Sequence, residues 1–395
     1  MKRGEWLVDI IKVYQPKNYK SFTCNGSTCK VNCCRYGWQI QIDKKTYDKY
    51  ADLDEEIKND LYKNIRVISE DPFNAVMITD ANGDCSYLND NKLCSIQLRF
   101  GFEYLSNVCK SYPRTAYYIG GSVERYLELS CETAAKLILL DKSFMDFEEI
   151  ELEYSTLESE GLAFQSLDIE KYTKSTHGND IFWKLRVASV AILQSRQYKI
   201  RFRMLILCMF IQEAAELIAA GQDFNIIALS DTYMDRLDNN YYIDLYAELP
   251  NGTERELNVT LDILNDMLKN KIHLKPILEQ VMTSFGLDAE NPDIPDDFEK
   301  NYSVYYEQYF ADKEYIFENY LVHRVLSEGF PFNYRASSDV LSNYVDLLAK
   351  YNLVEFIFTG ICRHHMKFDK RFIINCIAHF TRSYEHSQRK YLKAE

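Results

Sequence analysis

Histidine is missing from the start of this 395-residue chain: all seven histidines lie at His177 or beyond. A mixed Cys/His zinc site in the first third therefore has no imidazole to use. Long apolar runs are missing too. The longest, Met204 to Ile211, falls far short of the ~18 residues that a membrane span requires. The start, Met1-Lys2-Arg3-Gly4-Glu5-Trp6, is briefly basic, but no apolar stretch of ~7–15 residues follows to make a signal peptide. These two absences predict a cytoplasmic protein with no membrane partner. Lys and Arg number 46 against 59 acidic residues, a net charge of −13, and form no run that would track a phosphate backbone. Nucleic acid is thereby excluded as the main partner. The acidity reads first as a solvated surface, although it would also attract a lysine-bearing substrate. The fourteen glycines contain no G-x-G-x-x-G, and there is no P-loop, H-E-x-x-H or G-x-S-x-G, so the common nucleotide, zincin and hydrolase fingerprints are absent. The C-x3-C-x2-C spacing of radical S-adenosylmethionine enzymes fails as well. Cys29 and Cys33 fit its first part, but Tyr36 stands where the third thiol belongs.

Cysteine is abundant, and it is unevenly placed. Of eleven cysteines, Cys24, Cys29, Cys33, Cys34, Cys85, Cys94, Cys109 and Cys131 fall in the first third, leaving only Cys208, Cys362 and Cys376. Thiols that merely fill a core would be scattered, so the clustering argues for a shared centre. A reducing compartment argues against disulfides, and clustered cytoplasmic thiols point to metal. Soft thiolates select an iron–sulfur cluster or zinc. Cys33 and Cys34 are adjacent and could hardly ligate one cluster together. One centre or two therefore stays open, with Cys29, Cys33, Cys94 and Cys109 as the first-ranked ligands.

Local pattern places these thiols. Trp38 to Asp43 alternates as a half-buried strand does. A helix is expected over 46–64, with Tyr47, Tyr50, Leu53 and Ile57 on one face. Ala75 to Ile78 reads as a strand, and Ala81-Asn82-Gly83-Asp84 as a turn into Cys85. Cys94 opens a helix over 95–107, Cys109 lies just past it, and Cys131 starts another. Loops and helix ends of this kind offer amide hydrogens to an anionic centre. Residues 149–154 alternate as an edge strand, while 155–179 is polar and poorly periodic. Beyond Ile181 helical stripes take over: Phe202, Leu205, Ile206, Met209, Phe210, Leu217 and Ile218, then Leu257 to Leu268, then Leu274 to Phe285 with Gly286 as a C-terminal cap. A loop at 288–297 follows, then stripes at 340–351 and 372–380. Cys376 sits on the last stripe and reads as a small buried hydrophobe, as do Cys208 and Cys362. His364 and His365 are helix neighbours that face apart, so they are not read as ligands. The fold predicted is mostly α, with a cysteine-rich metal-binding module of short strands and helices over 1–140. A connector over 141–180 and a multi-helix domain over 181–395 complete it.

The run Cys24-x-Gly26-Ser27-x-Cys29-x3-Cys33-Cys34-x2-Gly37-Trp38-x-Ile40-x-Ile42-Asp43 resembles the flagellin lysine N-methylase family. So do Cys94-x-Ile96-Gln97, Cys109-x2-Tyr112-Pro113-Arg114 and Leu129-Ser130-Cys131-x2-Ala134-Ala135, in the same order. A departure is Cys85-Ser86-Tyr87-Leu88, where similar proteins tend to have Cys-Pro-Phe-Leu; the thiol is retained. The resemblance implies a cytoplasmic protein-lysine methyltransferase that moves methyl groups from S-adenosylmethionine to flagellin of the bacterial flagellum. It also implies a [4Fe–4S] cluster held by these cysteines, with zinc as the alternative metal. Lysine at its reference pKa of ~10.4 must lose a proton before it attacks a methyl group. Tyr112 and Asp43, beside the cysteine motifs, are candidates to receive or orient that proton, and Arg114 to hold the donor's carboxylate. The plainer roles are helix cap for Asp43 and turn residues for Tyr112-Pro113-Arg114. The rival functional reading is a non-catalytic zinc or iron–sulfur scaffold whose helical domain binds a partner. The tyrosines from Tyr302 to Tyr320 would serve as its surface. An electron-transfer role has no cofactor motif behind it.

Overall fold

The computed structural model describes residues 10–35, 40–68, 73–162, 164–173, 175–248, 254–270, 273–287, 298–333 and 339–386. Two compact units emerge, one of residues 1–135 and 147–165, the other of 136–146 and 166–395. Trp38 of the expected first strand and the expected loop 288–297 lie outside the described residues.

The first unit holds two sheets. One has five strands in the order β7-β1-β6-β5-β8, from β1 (Ile10–Pro16), β5 (Arg114–Ile119), β6 (Ser122–Leu127), β7 (Phe147–Glu153) and β8 (Phe164–Ser166). β1 runs parallel to β6 and antiparallel to β7. Gly120 and Gly121, with φ of 53° and 92°, join β5 to β6, since a two-residue hairpin needs positive φ at both central positions. That Gly-Gly pair between aromatic and β-branched residues is a readable hairpin signal, and the sequence reading passed over it. β7 is an edge strand, as its alternation predicts, and its solvent side carries the Glu149–Lys12 ion pair at 2.9 Å. Val13 and Val123 are fully buried between the sheet and Leu157 of α6 (Tyr154–Ser159).

The second sheet, in the order β2-β4-β3, is built from β2 (Gln41–Asp43), β3 (Ile65–Val67) and β4 (Phe73–Met77). Tyr47, Tyr50, Leu53 and Ile57 do pack together on its core. They are not on one helix, however. The chain forms α1 (Lys44–Lys49), a short 3-10 turn, and then α2 (Glu55–Lys63), with Leu53 extended between them. The acids Asp54, Glu55 and Glu56 suit a new helix start, where they face the exposed amide hydrogens. The helix expected over 95–107 also stops early: α3 (Ser95–Phe100) ends at Gly101, whose φ is 96°. Cys109 consequently lies inside α4 (Asn107–Ser111) rather than beyond a longer helix. α5 (Glu132–Leu139) begins one residue after Cys131, as expected, and straddles the division between the units.

Residues 141–180 do not run as one linking segment. Residues 136–146 group with the second unit, and 147–165 with the first through the β7–β1 ladder. The second unit is helical: α7 (Gly178–Leu193), α8 (Ile200–Ala219), α9 (Asp223–Asp238), α10 (Ile243–Glu248), α11 (Glu254–Asn270), α12 (Lys275–Ser284), α13 (Phe298–Phe310), α14 (Tyr315–Glu328), α15 (Val340–His364) and α16 (Lys370–Phe380). Gly286, at φ 69°, ends α12's C-terminal turn as predicted. Leu205 and Leu341 face outward instead of inward. α8 packs against α7, α9 and α15, so its buried surface is wider than one stripe and turned towards Met204, Leu207 and Ile211. α14 is buried from Ile316 to Glu328 and carries Glu318, held by Arg196 and Arg203 at 2.7 Å each. Arg324 on the same helix pairs with Glu385 at 2.7 Å. Buried charges need such partners. Tyr302, Tyr306, Tyr309 and Tyr320 are packed inside this unit, not displayed on a surface.

Candidate functional site

The cysteine-rich loops are drawn together by backbone contacts that local sequence pattern does not reveal. The amide of Cys85 donates to the carbonyl of Cys34 at 2.8 Å, and Arg35 pairs with Asp84 at 2.8 Å. Asn32 accepts from the Cys34 amide at 2.8 Å, and its own amide donates to the Lys92 carbonyl at 3.1 Å, two residues before Cys94. The Ser95 amide donates to the Tyr87 carbonyl at 2.8 Å. Cys34, Cys85, Cys94 and Cys109 thus border one apolar cluster that includes Ile42, Tyr50, Leu61 and Ile96.

Cys24, Cys29 and Cys131 have different surroundings. Glu132, at the start of α5, accepts from the Lys30 and Val31 amides at 2.7 and 3.2 Å. The Cys29 thiol meets the Thr133 hydroxyl at 4.0 Å. Cys24 is exposed and accepts from the Gly26 amide at 3.3 Å. Sequence reasoning missed Asn32 and Glu132, because an Asn in a loop and an acid opening a helix look ordinary until their distant partners are known.

All eleven cysteines are free thiols. Burial raises Cys85 to about 11, with Cys94 and Cys33 adding to the shift. Cys109 is raised to about 12 by burial, and the thiols of Cys94, Cys85 and Cys33 add to it. Cys34 is pushed far above its ordinary value, first by its hydrogen bond with Cys33, then by burial, with Cys109 and Cys85 contributing. Burial also raises Cys131 to about 12, where Cys29 and Cys33 add while the Ala134 and Thr133 amides pull back. Cys94 is raised by burial against the opposing amides of Gln97 and Ile96 at the start of α3. Cys29 is raised by burial, with Glu132, Cys24 and Cys33 adding. These thiols resist ionisation mainly because they are buried, with neighbouring thiols adding to it, and for Cys34 the hydrogen bond with Cys33 comes first. A cation among them would reverse that balance and favour thiolate. Among the described residues, no three His, Cys, Asp or Glu side chains converge closely enough to hold a metal ion as they stand.

The three non-cysteine candidates lie in the same unit. Asp43 caps α1: its carboxylate accepts from the Thr46 amide and hydroxyl at 2.9 Å each, and also from the Asn107 amide at 2.9 Å. Both oxygens are engaged, so the cap is its evident role. Tyr112 follows α4, and its hydroxyl lies 3.0 Å from that of Ser130. Arg114 opens β5 with its guanidinium over the Phe22 ring, 5.1 Å from the centroid, and no carboxylate among the described residues pairs with it. In the second unit Cys362 and Cys376 are buried as expected, and Cys208 is half-buried.

Residues 186–394, more than half of the chain, match the FliB lysine N-methylase C-terminal domain. The chain belongs to the FliB-like lysine N-methylase family. Over 138 residues it is 33% identical to the flagellar biosynthetic protein FliU of Salmonella muenchen, covering 34% of this chain and 81% of that protein. Over 142 residues it is 32% identical to the lysine-N-methylases of Salmonella typhimurium and Salmonella choleraesuis, 35% of this chain and 35% of each of theirs. The aligned region thus spans about a third of those two methylases' length. No solved structure matches the chain. Among the described residues of this FliB-like protein, no helix is long and apolar enough to cross a membrane.

Proposed function

We propose that the protein transfers methyl groups from S-adenosylmethionine to lysine side chains of flagellin, with a cysteine-held iron–sulfur cluster of the [4Fe–4S] type. The observation that carries this reading is the family match over residues 186–394. Relatives named lysine-N-methylase and flagellar biosynthetic protein support a flagellar substrate. The thiols bordering the Ile42–Tyr50 core, and those around Cys29, suit an iron–sulfur group: they are soft donors, and Cys94 and Cys131 stand directly before α3 and α5. Ligands of a multi-iron cluster stand around its width and need not converge on a point, unlike the ligands of a lone zinc. Free thiols throughout the chain suit a reducing cytoplasm.

In the reaction, a lysine amine attacks the sulfonium methyl carbon. The N–C bond forms as the S–C bond breaks, and the donor leaves as a neutral thioether. The ammonium must first surrender a proton. An acidic protein of net charge −13 draws the lysine in, and desolvation in the site lowers its pKa. Tyr112, bonded to Ser130, is the candidate to pass that proton on, while Asp43 supports the site by capping α1 and holding the start of α4. Arg114 is placed to take the donor's carboxylate through its two-pronged guanidinium. If such a cluster is bound, Cys29, Cys33, Cys94 and Cys109 are the first-ranked residues that would hold it, and it would supply a second hold on the donor's amino and carboxylate groups. The test is mass spectrometry of flagellin co-expressed with and without this chain. One-methylene mass steps confined to lysine are expected, and unmodified lysine throughout overturns the reading.

A further inference from the structure

Lys199, Arg201 and Arg203 surround the start of α8, where exposed amide hydrogens favour acids instead. Each of these cations has its own acid. Lys199 meets Glu307 at 3.2 Å with both side chains about half in water, and Arg203 is buried on Glu318. Arg201 differs from both: its side chain is 45% exposed, yet that of its partner Glu355, on α15, is 4% exposed. Tyr302 and Tyr351, which also bond Glu355, are buried. Among the described residues bonded to this carboxylate, Arg201 is therefore the one that reaches water.

Around the buried anion the chain builds a seat for a cation. Glu355 accepts from the Tyr302 hydroxyl at 3.0 Å and from that of Tyr351, and from Arg201 Nε at 3.3 Å and Nη2. The guanidinium lies over the Tyr302 and Tyr306 rings, 5.8 and 5.5 Å from their centroids, within reach of a cation–π attraction. Both rings are fixed from elsewhere. Tyr302 is stacked between Phe298 and Phe356, and Tyr306 donates to Glu314 at 2.8 Å. Burial and then the Glu355 charge hold Tyr302 and Tyr351 well above their ordinary values, so both hydroxyls stay donors. When Arg201 turns outward into water, the carboxylate keeps two hydroxyl partners and the rings keep their places.

We propose that this seat, formed by Glu355, Tyr302, Tyr306 and Tyr351, binds mono- and dimethylated lysine side chains of the protein substrate, with Arg201 as the built-in competitor that yields to them. The inference rests on the lysine reading above and adds a substrate contact within the helical unit. The chemistry of the seat selects the ligand. A dimethylammonium head has the outline of a guanidinium, a centre with two outer groups on a flexible stem. It keeps one N–H to donate to Glu355 and lays its methyl groups against the tyrosine rings. A trimethylammonium head has no N–H to give. An unmethylated ammonium is strongly hydrated and offers the rings no methyl surface. Because Arg201 occupies the seat in most molecules, the apparent affinity of the unaltered protein is lowered by the fraction in which the seat is open.

The test is a ligand-observed NMR titration of the full chain with acetyl-lysine methylamide carrying none, one, two or three methyl groups on its side-chain nitrogen. The mono- and dimethyl probes should bind the unaltered protein, and the other two about tenfold more weakly. Arg201→Ala removes the competitor and should tighten binding of the dimethyl probe about tenfold. Glu355→Gln removes the anion and should abolish binding. Probe binding confined to Arg201→Ala makes Arg201 a fixed structural partner and overturns the inference. So does binding that survives Glu355→Gln, or the same affinity for all four probes. If Glu355→Gln fails to fold, the comparison of Arg201→Ala with the unaltered protein still decides, since equal affinities refute the competition. The titration contains no methyl donor, and flagellin methylation is scored separately. Binding without methylation sinks the proposed reaction alone, and methylation without binding sinks this inference alone.

Discussion

Glu318 is the most exacting test of how the helical unit is held. It is fully buried on α14, and its carboxylate accepts from Arg196 Nε and Nη2 at 2.9 and 2.7 Å and from Arg203 Nη1 at 2.7 Å. The Arg203 side chain is 3% exposed, whereas about a third of Arg196 (32%) reaches solvent. Replacing Glu318 by Ala leaves Arg196 free to turn outward into water, but Arg203 cannot. Its remaining partners are the Tyr198 and Leu193 carbonyls at 2.7 and 2.9 Å and Glu314 at 4.0 Å. A buried ion that loses its close counter-charge costs up to about 3–5 kcal/mol, and only the longer Glu314 contact offsets that for Arg203. Arg196→Met should cost about 1 kcal/mol, since a half-solvated pair is screened. The assay is urea denaturation followed by the fluorescence of Trp183 on α7, within the same unit. If Glu318→Ala and Arg196→Met lower stability equally, desolvation of Arg203 is not what makes the pair matter, and the reasoning fails.

Other expectations follow from the same contacts. Cys376→Ser places a hydroxyl in a site that is 1% exposed, which should cost about 1–3 kcal/mol and leave metal per folded protein unchanged; metal loss would tie α16 to the cysteine unit. Asp43→Ala removes the cap of α1 and the hold on Asn107, at a cost of about 1–2 kcal/mol. Asp43→Asn can still cap, so it should keep most of the stability and the methylation; methylation abolished in a stable Asp43→Asn protein would make the carboxylate a proton acceptor after all. His379 is held at about 4 by burial, with Arg382 and His273 adding to the lowering. An unfolded histidine near ~6.5 binds protons that the folded one refuses, so stability is complete above ~6.5 and lost as pH falls towards the folded value, by up to about 3 kcal/mol. Denaturation midpoints at several pH values check this, and His379→Phe should flatten that part of the profile.

Much of the helical unit was legible because its signal is local. The Leu274–Phe285 stripe and Gly286 predict α12 and its end, and Cys376 falls on the buried face of α16 as its spacing requires. Leu205 and Leu341 were misread because a helix packed on several sides buries more than one stripe. The helix expected over 46–64 had the right face but not the right continuity, since acids at Asp54 to Glu56 start a second helix instead of prolonging the first.

By itself, the sequence determined which chemistry the first unit can offer. Eight thiols without a nearby histidine is a statement about composition, and it holds in any fold. It also determined where helices form beyond residue 180, because a 3.6-residue period is written in neighbouring side chains. Only the tertiary structure decided which thiols are neighbours. Cys34 meets Cys85 through a hydrogen bond across 51 positions, and Cys29 meets Thr133 across 104. Contacts of that range depend on chain closure and side-chain satisfaction, such as Glu132 finding two amides and Asn32 bridging two loops. Nothing in a local window carries that information.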